Sequence, residues 1–458
     1  MVSVIEFVDR KDEIKLLEKD WGSSENAFVV VYGRRRIGKT RLIEEFLKDK
    51  KGIKYTAGDT NKKIQIKEFK DIIAAYLNDE FLKDQEISDW TSLFSYLSKI
   101  LDKERKFYIW IDEFSYLIKN DSSITSTLHK FIDDFLRKSK IFFVVSGSIF
   151  GLMSEKILAH SSPLYGRRTR DLLLKPIPSL DSKQFLKMNF EDSFKAILTL
   201  NGIPEYLLVA SKFKDYSDFI KTEFVNKEGY FYREPYFLLS QEFKEIKTYF
   251  SILNAIAYGN TRPSEIANFV GIDTREIYPY LELLISYGFI KRETSIFGDK
   301  KRGIYFINDN FFDFWFNFVH KKRELIEKDL NSFNNGEVSA FLGKRFEIFI
   351  RENFSLFFKN FEEHGRYWNK QEEIDIAAFN QEKREILFAE CKWGDKVNAM
   401  QIINQLVEKA KYVEWNNKNR KESFAVFAKS FSKKIKEFEG KKVYCFDLKD
   451  LSKKINSG

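Results

Sequence analysis

Gly33-Arg34-Arg35-Arg36-Ile37-Gly38-Lys39-Thr40 is the stretch from which the rest of this sequence is read. It follows the apolar run FVVVY at 28–32 and opens TRLIEEFL, part of an amphipathic stretch at 40–48 with helical spacing. Glycines at both ends let successive backbone N–H groups turn towards phosphate oxygens, and the start of a helix adds partial positive charge. Lys39 is then the expected contact of the β and γ phosphates of a nucleotide, and the Thr40 hydroxyl the expected Mg²⁺ ligand, with Arg41 next to them in the nucleotide-binding set.

Two more apolar runs, 107–111 and 141–145, read as strands, and with helical stretches such as 127–137 they predict a parallel α/β sheet over residues 1–180. The first of them ends in Asp112-Glu113. An acid delivered to the carboxyl edge of such a sheet is the expected Mg²⁺ partner of Thr40, which assigns Asp112. Glu113 is the candidate to polarise the water that attacks the γ-phosphate, the alternative being a solvated surface carboxylate. The second run leads into Ser146-Gly147-Ser148, where Ser148 either senses the γ-phosphate or caps the next turn.

Downstream, 181–240 is helical throughout and reads as a lid. Over 241–322, helices at 246–258, 262–270 and 274–287 precede strands at 290–295 and 303–307, the pattern of a winged helix. Residues 241–320 hold 9 basic and 10 acidic residues, and the third helix offers only Arg275 among its cations. A groove-reading helix needs several, so a packing role is favoured over DNA readout, although Lys291, Arg292, Lys300, Lys301 and Arg302 lie on the wing.

A second α/β pattern fills 340–458, with strands near 373–379, 386–392 and 423–427. Glu347 lies in a helical stretch, and Asp375 and Glu390-Cys391-Lys392 lie on two strands joined by the turn NQEKR. Period-two alternation puts Glu390 and Lys392 on one face, and a turn near 381–382 puts Asp375 opposite 389–390. Two carboxylates and a lysine at one strand edge suit Mg²⁺-dependent phosphodiester cleavage. Asp375 and Glu390 are the expected metal ligands, Lys392 positions the water or stabilises the developing charge, and Glu347 completes the ligand set, with Gln401 on the next helix a candidate supporting residue or, more simply, a surface glutamine.

The 458 residues are 43% apolar and 32% charged, an ordinary globular balance with room for about three domains. Two cysteines and four histidines exclude a disulfide framework and a Cys/His zinc cage. No apolar run approaches the roughly 18 residues of a membrane span, and a charged N-terminus does not fit a signal peptide, so a cytoplasmic protein without a membrane partner is expected. The net charge is +9, and residues 341–458 hold 24 basic and 18 acidic residues. Most of the surplus therefore sits in the last segment, which becomes the expected nucleic-acid contact.

The phosphate loop, Asp112-Glu113, Ser146-Gly147-Ser148, Ser162-Pro163-Leu164-Tyr165-Gly166-Arg167-Arg168-Thr169 and Gly202-Ile203-Pro204-Glu205-Tyr206-Leu207 together resemble the archaeal-type P-loop ATPases of the AAA+/STAND group. Phe7-Val8-Asp9-Arg10 with Glu13 matches the family's opening, near the adenine, and the resemblance spans essentially the whole chain. It implies that Pro204 lies close to ATP or ADP and that Arg167 and Arg168 act on phosphates, within the chain or on a neighbour. The alternative for Arg167, Arg168 and Arg170 is pairing with structural carboxylates. The family's Gly-Gly-x-Pro stands here as Asn201-Gly202-Ile203-Pro204. The C-terminal spacing, with Arg366-Tyr367-Trp368 before it, resembles the PD-(D/E)xK nuclease superfamily. The expected architecture is thus a P-loop parallel sheet, helical lid, winged helix and restriction-endonuclease-like domain. The expected function is an ATP-hydrolysing switch coupled to a nuclease-like domain acting on DNA. Its alternative is a regulatory ATPase whose inactive nuclease fold binds nucleic acid, a protein partner or a second copy.

Overall fold

The computed structural model describes residues 7–23, 26–328 and 334–457. The chain divides into two compact units, one running to Phe185 and including Ile203–Tyr206, the other formed by Leu186–Gly202 with Leu207 onward. The stretch read as a lid is therefore shared between them.

In the first unit β1 (Ala27–Tyr32), β2 (Gly52–Thr56), β3 (Tyr108–Asp112), β4 (Phe142–Gly147) and β5 (Arg170–Leu173) make a parallel sheet in the order β2-β3-β4-β1-β5. Val29, Val30 and Val31 are fully buried, as are Phe142 and Phe143, which is why these strands read as unbroken apolar runs. The order sets β4 between the strand that feeds the phosphate loop and the strand that carries Asp112. Register joins Val31 to Ser146 and Ile111 to Val145, so Asp112 and Ser146 emerge at one level beside the loop.

The second unit opens with helices, among them Phe190–Leu200, Glu234–Glu242, Ile246–Ala257, Pro263–Val270 and Ile277–Ser286, followed by the antiparallel pair β6 (Ile290–Glu293) and β7 (Ile304–Ile307). Phe224, Phe231, Phe311 and Phe314 pack ring on ring at 4.7–5.8 Å, so part of the phenylalanine surplus is core. The helix Asn335–Glu352 leads into a six-stranded mixed sheet. Its strands are β8 (Glu363–Trp368), β9 (Glu373–Asn380), β10 (Glu385–Lys392), β12 (Lys421–Ala428), β14 (Glu437–Phe438) and β15 (Lys441–Phe446), in the order β14-β15-β12-β10-β9-β8. A short separate pair joins β11 (Val397–Asn398) and β13 (Phe431–Lys433). The helix Ala399–Ala410 covers the sheet through Ile403 and Leu406.

The loop that follows β6 docks on this sheet. Ile296 N–H donates to the Arg366 carbonyl at 3.0 Å, the Trp368 N–H donates to Ser295 Oγ at 3.0 Å, and Phe297 stacks among Tyr367, Phe379 and Trp415. Beneath, Arg345 and Asp313 form a buried ion pair, and Arg345 also donates to the Ile307 carbonyl at 3.0 Å. Arg345→Ala would leave the Asp313 carboxylate buried without its cation. The expected cost is about 3–5 kcal/mol, read as an earlier denaturant transition of the second unit. Among the described residues no helix is long and apolar enough to cross a membrane.

Candidate active sites

The loop after β1 turns through positive φ at Gly33 (147°), Arg36 (68°) and Gly38 (88°). A Cβ on Gly33 would lie 2.6 Å from the Leu174 carbonyl oxygen, so only glycine fits that approach. Lys39 Nζ donates to the carbonyls of Gly33 and Arg34, both at 2.9 Å, which folds the buried ammonium over the loop. Thr40 Oγ1 donates to Asp112 Oδ2 at 2.9 Å. Asp112 Oδ1 accepts from Ser146 Oγ at 2.6 Å and from the Glu113 N–H at 3.0 Å, and Trp110 Nε1 steadies Ser146 Oγ at 2.8 Å. A fixed hydroxyl beside a fixed carboxylate is the hard-oxygen pair that fits Mg²⁺ next to bound phosphates.

Glu113 stands in the left-handed region, φ 53°, at the head of the helix Phe114–Asn120. That conformation is strained for glutamate and turns its side chain off the strand direction. Ser148 Oγ donates to Glu113 Oε2 at 2.6 Å, so the serine holds the candidate base. Around the loop, Arg35 donates to the Tyr116 hydroxyl at 2.5 Å, Arg36 pairs with Glu205 at 3.5 Å, and Pro204 lies 3.7 Å from a Cβ built on Gly38. Arg10 is buried and donates to the carbonyls of Ile37 and Lys175, at 3.4 and 2.6 Å, tying the opening segment to the loop.

The Arg41 side chain is 56% exposed and paired with Glu45 at 3.8 Å, so what that position offers a phosphate is its backbone N–H in the first turn of the helix. One expectation for this site is corrected. Arg167 and Arg168 enter at the opposite edge of the sheet, because Thr169 N–H donates to the Phe28 carbonyl and β5 sets Arg170 beside Val29. Roughly 20 Å of strand, at about 3.3 Å per residue, separates that edge from Gly33. Asp133 holds Arg167 at 3.1 Å and Asp171 holds Arg168, so these arginines do not reach the phosphate loop of their own chain.

The second constellation lies on β9 and β10. Their register pairs Ile376 with Ala389, so Asp375 faces Glu390 one step on, within the expected position. Asp375 Oδ2 accepts from the Cys391 N–H at 2.8 Å. Glu390 is held by Lys392 Nζ at 3.0 Å and by Lys409 Nζ from the helix Ala399–Ala410. Burial, then the charges of Glu390 and Glu347, push the Asp375 carboxyl well above its usual range. Burial works the same way on Glu390, but Lys392 and Lys409 outweigh it and lower that carboxyl, so the pair favours a proton on Asp375 and a charge on Glu390. Burial raises Glu347 to about 7 against the pull of Arg366, Lys392 and Arg351. A cavity of about 470 Å³ adjoins the group, lined among others by Glu347, Arg351, Arg366 and Lys392.

Here too the structure amends the sequence. Among the described residues no three His, Cys, Asp or Glu side chains form a metal-holding group, so Glu347 lines the cavity without completing a ligand set. The Asp375 and Glu390 oxygens that remain suit at most a two-carboxylate Mg²⁺ site, with the lysines competing for Glu390. Gln401 is exposed at the head of its helix, in keeping with the plainer reading of a surface glutamine. Lys409 takes the supporting place instead, 19 residues from Glu390 in sequence and undetectable from spacing. Cys391 is buried, and burial first, then the neighbouring acids, pushes its thiol up, so it is no nucleophile.

Residues 7–207 match the family described as an ATPase domain predominantly from Archaea. Residues 315–403 match one described as archaeal and bacterial proteins of unknown function. An uncharacterized protein of Methanocaldococcus jannaschii is 34% identical over 463 residues, spanning 97% of this chain and 100% of that protein. The chain belongs to the archaeal ATPase family. An uncharacterized ATP-binding protein of the same organism shares 45% identity with this archaeal ATPase over 51 residues, 11% of the chain and 86% of that protein. Among solved structures, a Walker-type ATPase of Pyrococcus abyssi aligns at 21% identity with a TM-score of 0.49, over 68% of this chain and 96% of that one. In this archaeal ATPase the phosphate loop, Asp112 and Glu113 stand at one edge of the sheet, and Ser148, read from the sequence as a phosphate sensor or a cap, donates to Glu113 instead. Arg10 is the contributor that the sequence marked only by resemblance.

Proposed function

We propose that this archaeal ATPase is a Mg²⁺-dependent, ATP-hydrolysing switch of the STAND kind, whose second unit carries a winged helix (241–322) and a nuclease-like domain (340–458) acting on nucleic acid, DNA first. Lys39 and the loop N–H groups draw the phosphates of ATP into place, and Glu113, held by Ser148, takes the proton of the attacking water. Thr40 and Asp112 would hold Mg²⁺, which neutralises charge on the β and γ oxygens when bound. The observation that carries the nuclease-like reading is Asp375 facing Glu390, with Lys392 on the same edge, beside a cavity rich in cations. There Asp375 and Glu390 would hold the divalent ion that polarises a scissile phosphodiester, and Lys392 orients the water.

Asp375→Ala and Lys392→Ala are each expected to eliminate Mg²⁺- or Mn²⁺-dependent cleavage of duplex, branched or single-stranded substrates, with ATP hydrolysis unchanged. A wild-type protein that cuts none of them sinks the nuclease reading. One observation favours the second reading, a binding domain without cleavage: both Glu390 oxygens are engaged by lysines. In that case nucleic-acid binding persists and weakens with salt, since residues 411–458 hold 13 basic against 6 acidic residues.

A further inference from the structure

The cavity beside Asp375 and Glu390 is walled on one side by the β6–β7 hairpin, which contributes Glu293 and Phe306. Its lining carries four cations, Lys344, Arg351, Arg366 and Lys392, against two carboxylates, Glu293 and Glu347. Glu293, the last residue of β6, spans both guanidinium groups: Oε1 lies 3.2 Å from Arg351 Nε and Oε2 lies 3.9 Å from Arg366 Nη1. The Glu293 and Arg351 side chains are 17% and 11% exposed, so the contact is partly desolvated and stronger than an open surface pair.

The arginines do not depend on Glu293 for their places. Arg351 Nη1 donates to the Asp375 carbonyl at 3.1 Å, and Arg366 Nε donates to Glu373 at 2.7 Å. Glu293 reaches the two arginines from the end of β6, two residues before Ser295, whose loop is docked on β8, so the carboxylate rather than the strand is the part that exchanges. Two preset guanidinium groups around one two-oxygen monoanion form a seat for which a phosphodiester, with two non-bridging oxygens and one charge, is the matching ligand. Lys392 and Arg366 have carboxylate partners of their own in Glu390 and Glu373, and what a purely structural pairing of Glu293 leaves unexplained is the open volume beside Arg351 and Arg366.

We propose that Glu293 is an intramolecular stand-in for a nucleic-acid phosphate, so that Arg351 and Arg366 form the phosphodiester seat of the C-terminal site and the hairpin keeps it closed. This rests on the reading of that domain as nucleic-acid-directed. Turning the Glu293 side chain out of the seat trades one carboxylate for one backbone phosphate without net loss of pairing for either arginine. The occupied seat thereby sets a threshold for binding.

The test is fluorescence anisotropy of labelled single- and double-stranded oligonucleotides with the full-length protein, in EDTA and without nucleotide, so that no cleavage is needed. Glu293→Gln keeps the shape and removes the charge, and is expected to tighten binding at least about fivefold and to steepen the salt dependence by about one released counterion. Glu293→Asp keeps the charge but draws it back by one methylene, and is expected to fall between wild type and Glu293→Gln; it decides the matter if the glutamine variant fails to fold. Arg366→Gln is expected to weaken binding. If all three Glu293 forms bind equally with one salt slope, the stand-in is overturned while the nucleic-acid reading stands. If none of them binds any oligonucleotide, both fall.

Discussion

Lys39→Ala is expected to weaken ATP binding at least about 100-fold and to leave the fold in place. The ammonium is buried over the loop and already bonded to two of its carbonyls, so it stands where phosphate oxygens arrive. Charge-assisted hydrogen bonds contribute about 1.5–3 kcal/mol each, and losing two of the weaker kind amounts to about 3 kcal/mol, or roughly two powers of ten. The helix keeps its anchors, since Leu42, Ile43 and Phe46 stay buried whatever stands at 39. Titration calorimetry with ATP checks the affinity, and an unchanged thermal transition checks the fold. Binding equal to wild type would remove the loop from the nucleotide site.

Glu113→Gln is the complementary experiment. The amide keeps the size of the side chain and its contact with Ser148, but it cannot take a proton at neutral pH. ATP affinity is expected to hold while single-turnover hydrolysis falls about 100-fold or more, the usual loss on removing a general base. Hydrolysis at the wild-type rate would return Glu113 to the surface-carboxylate reading. Because Asp112 is oriented by Ser146, Thr40 and the Glu113 backbone, the substitution leaves its carboxylate undisturbed.

What was legible in the sequence follows from what each segment buries. FVVVY and IFFVV sit inside the sheet with both faces covered, so their apolar runs are continuous and their ends coincide with the structure to within two residues. GIKYT has a lysine facing outward and RDLL lies at the sheet edge, and neither stood out as a strand. The hairpin carrying Asp375 and Glu390 was readable because a short turn fixes register, and register fixes which side chains meet. Lys409 was not, because its approach to Glu390 depends on how a helix lies across the sheet. Arg167 and Arg168 show the same limit: composition announced a cluster of cations, whereas only strand pairing told which edge of the sheet they occupy.

The bond from Ile296 to the Arg366 carbonyl has a bearing on solubility as well. β8 ends the six-stranded sheet, and an uncovered terminal strand offers its free N–H and C=O groups to any extended chain nearby. The loop after β6 takes up two of those groups, the Arg366 carbonyl and the Trp368 N–H, and lays Ile296 and Phe297 over the rim. The same short segment is therefore a chaperone for its own sheet. Loss of that cover would leave β8 open to pairing with the same strand of another copy.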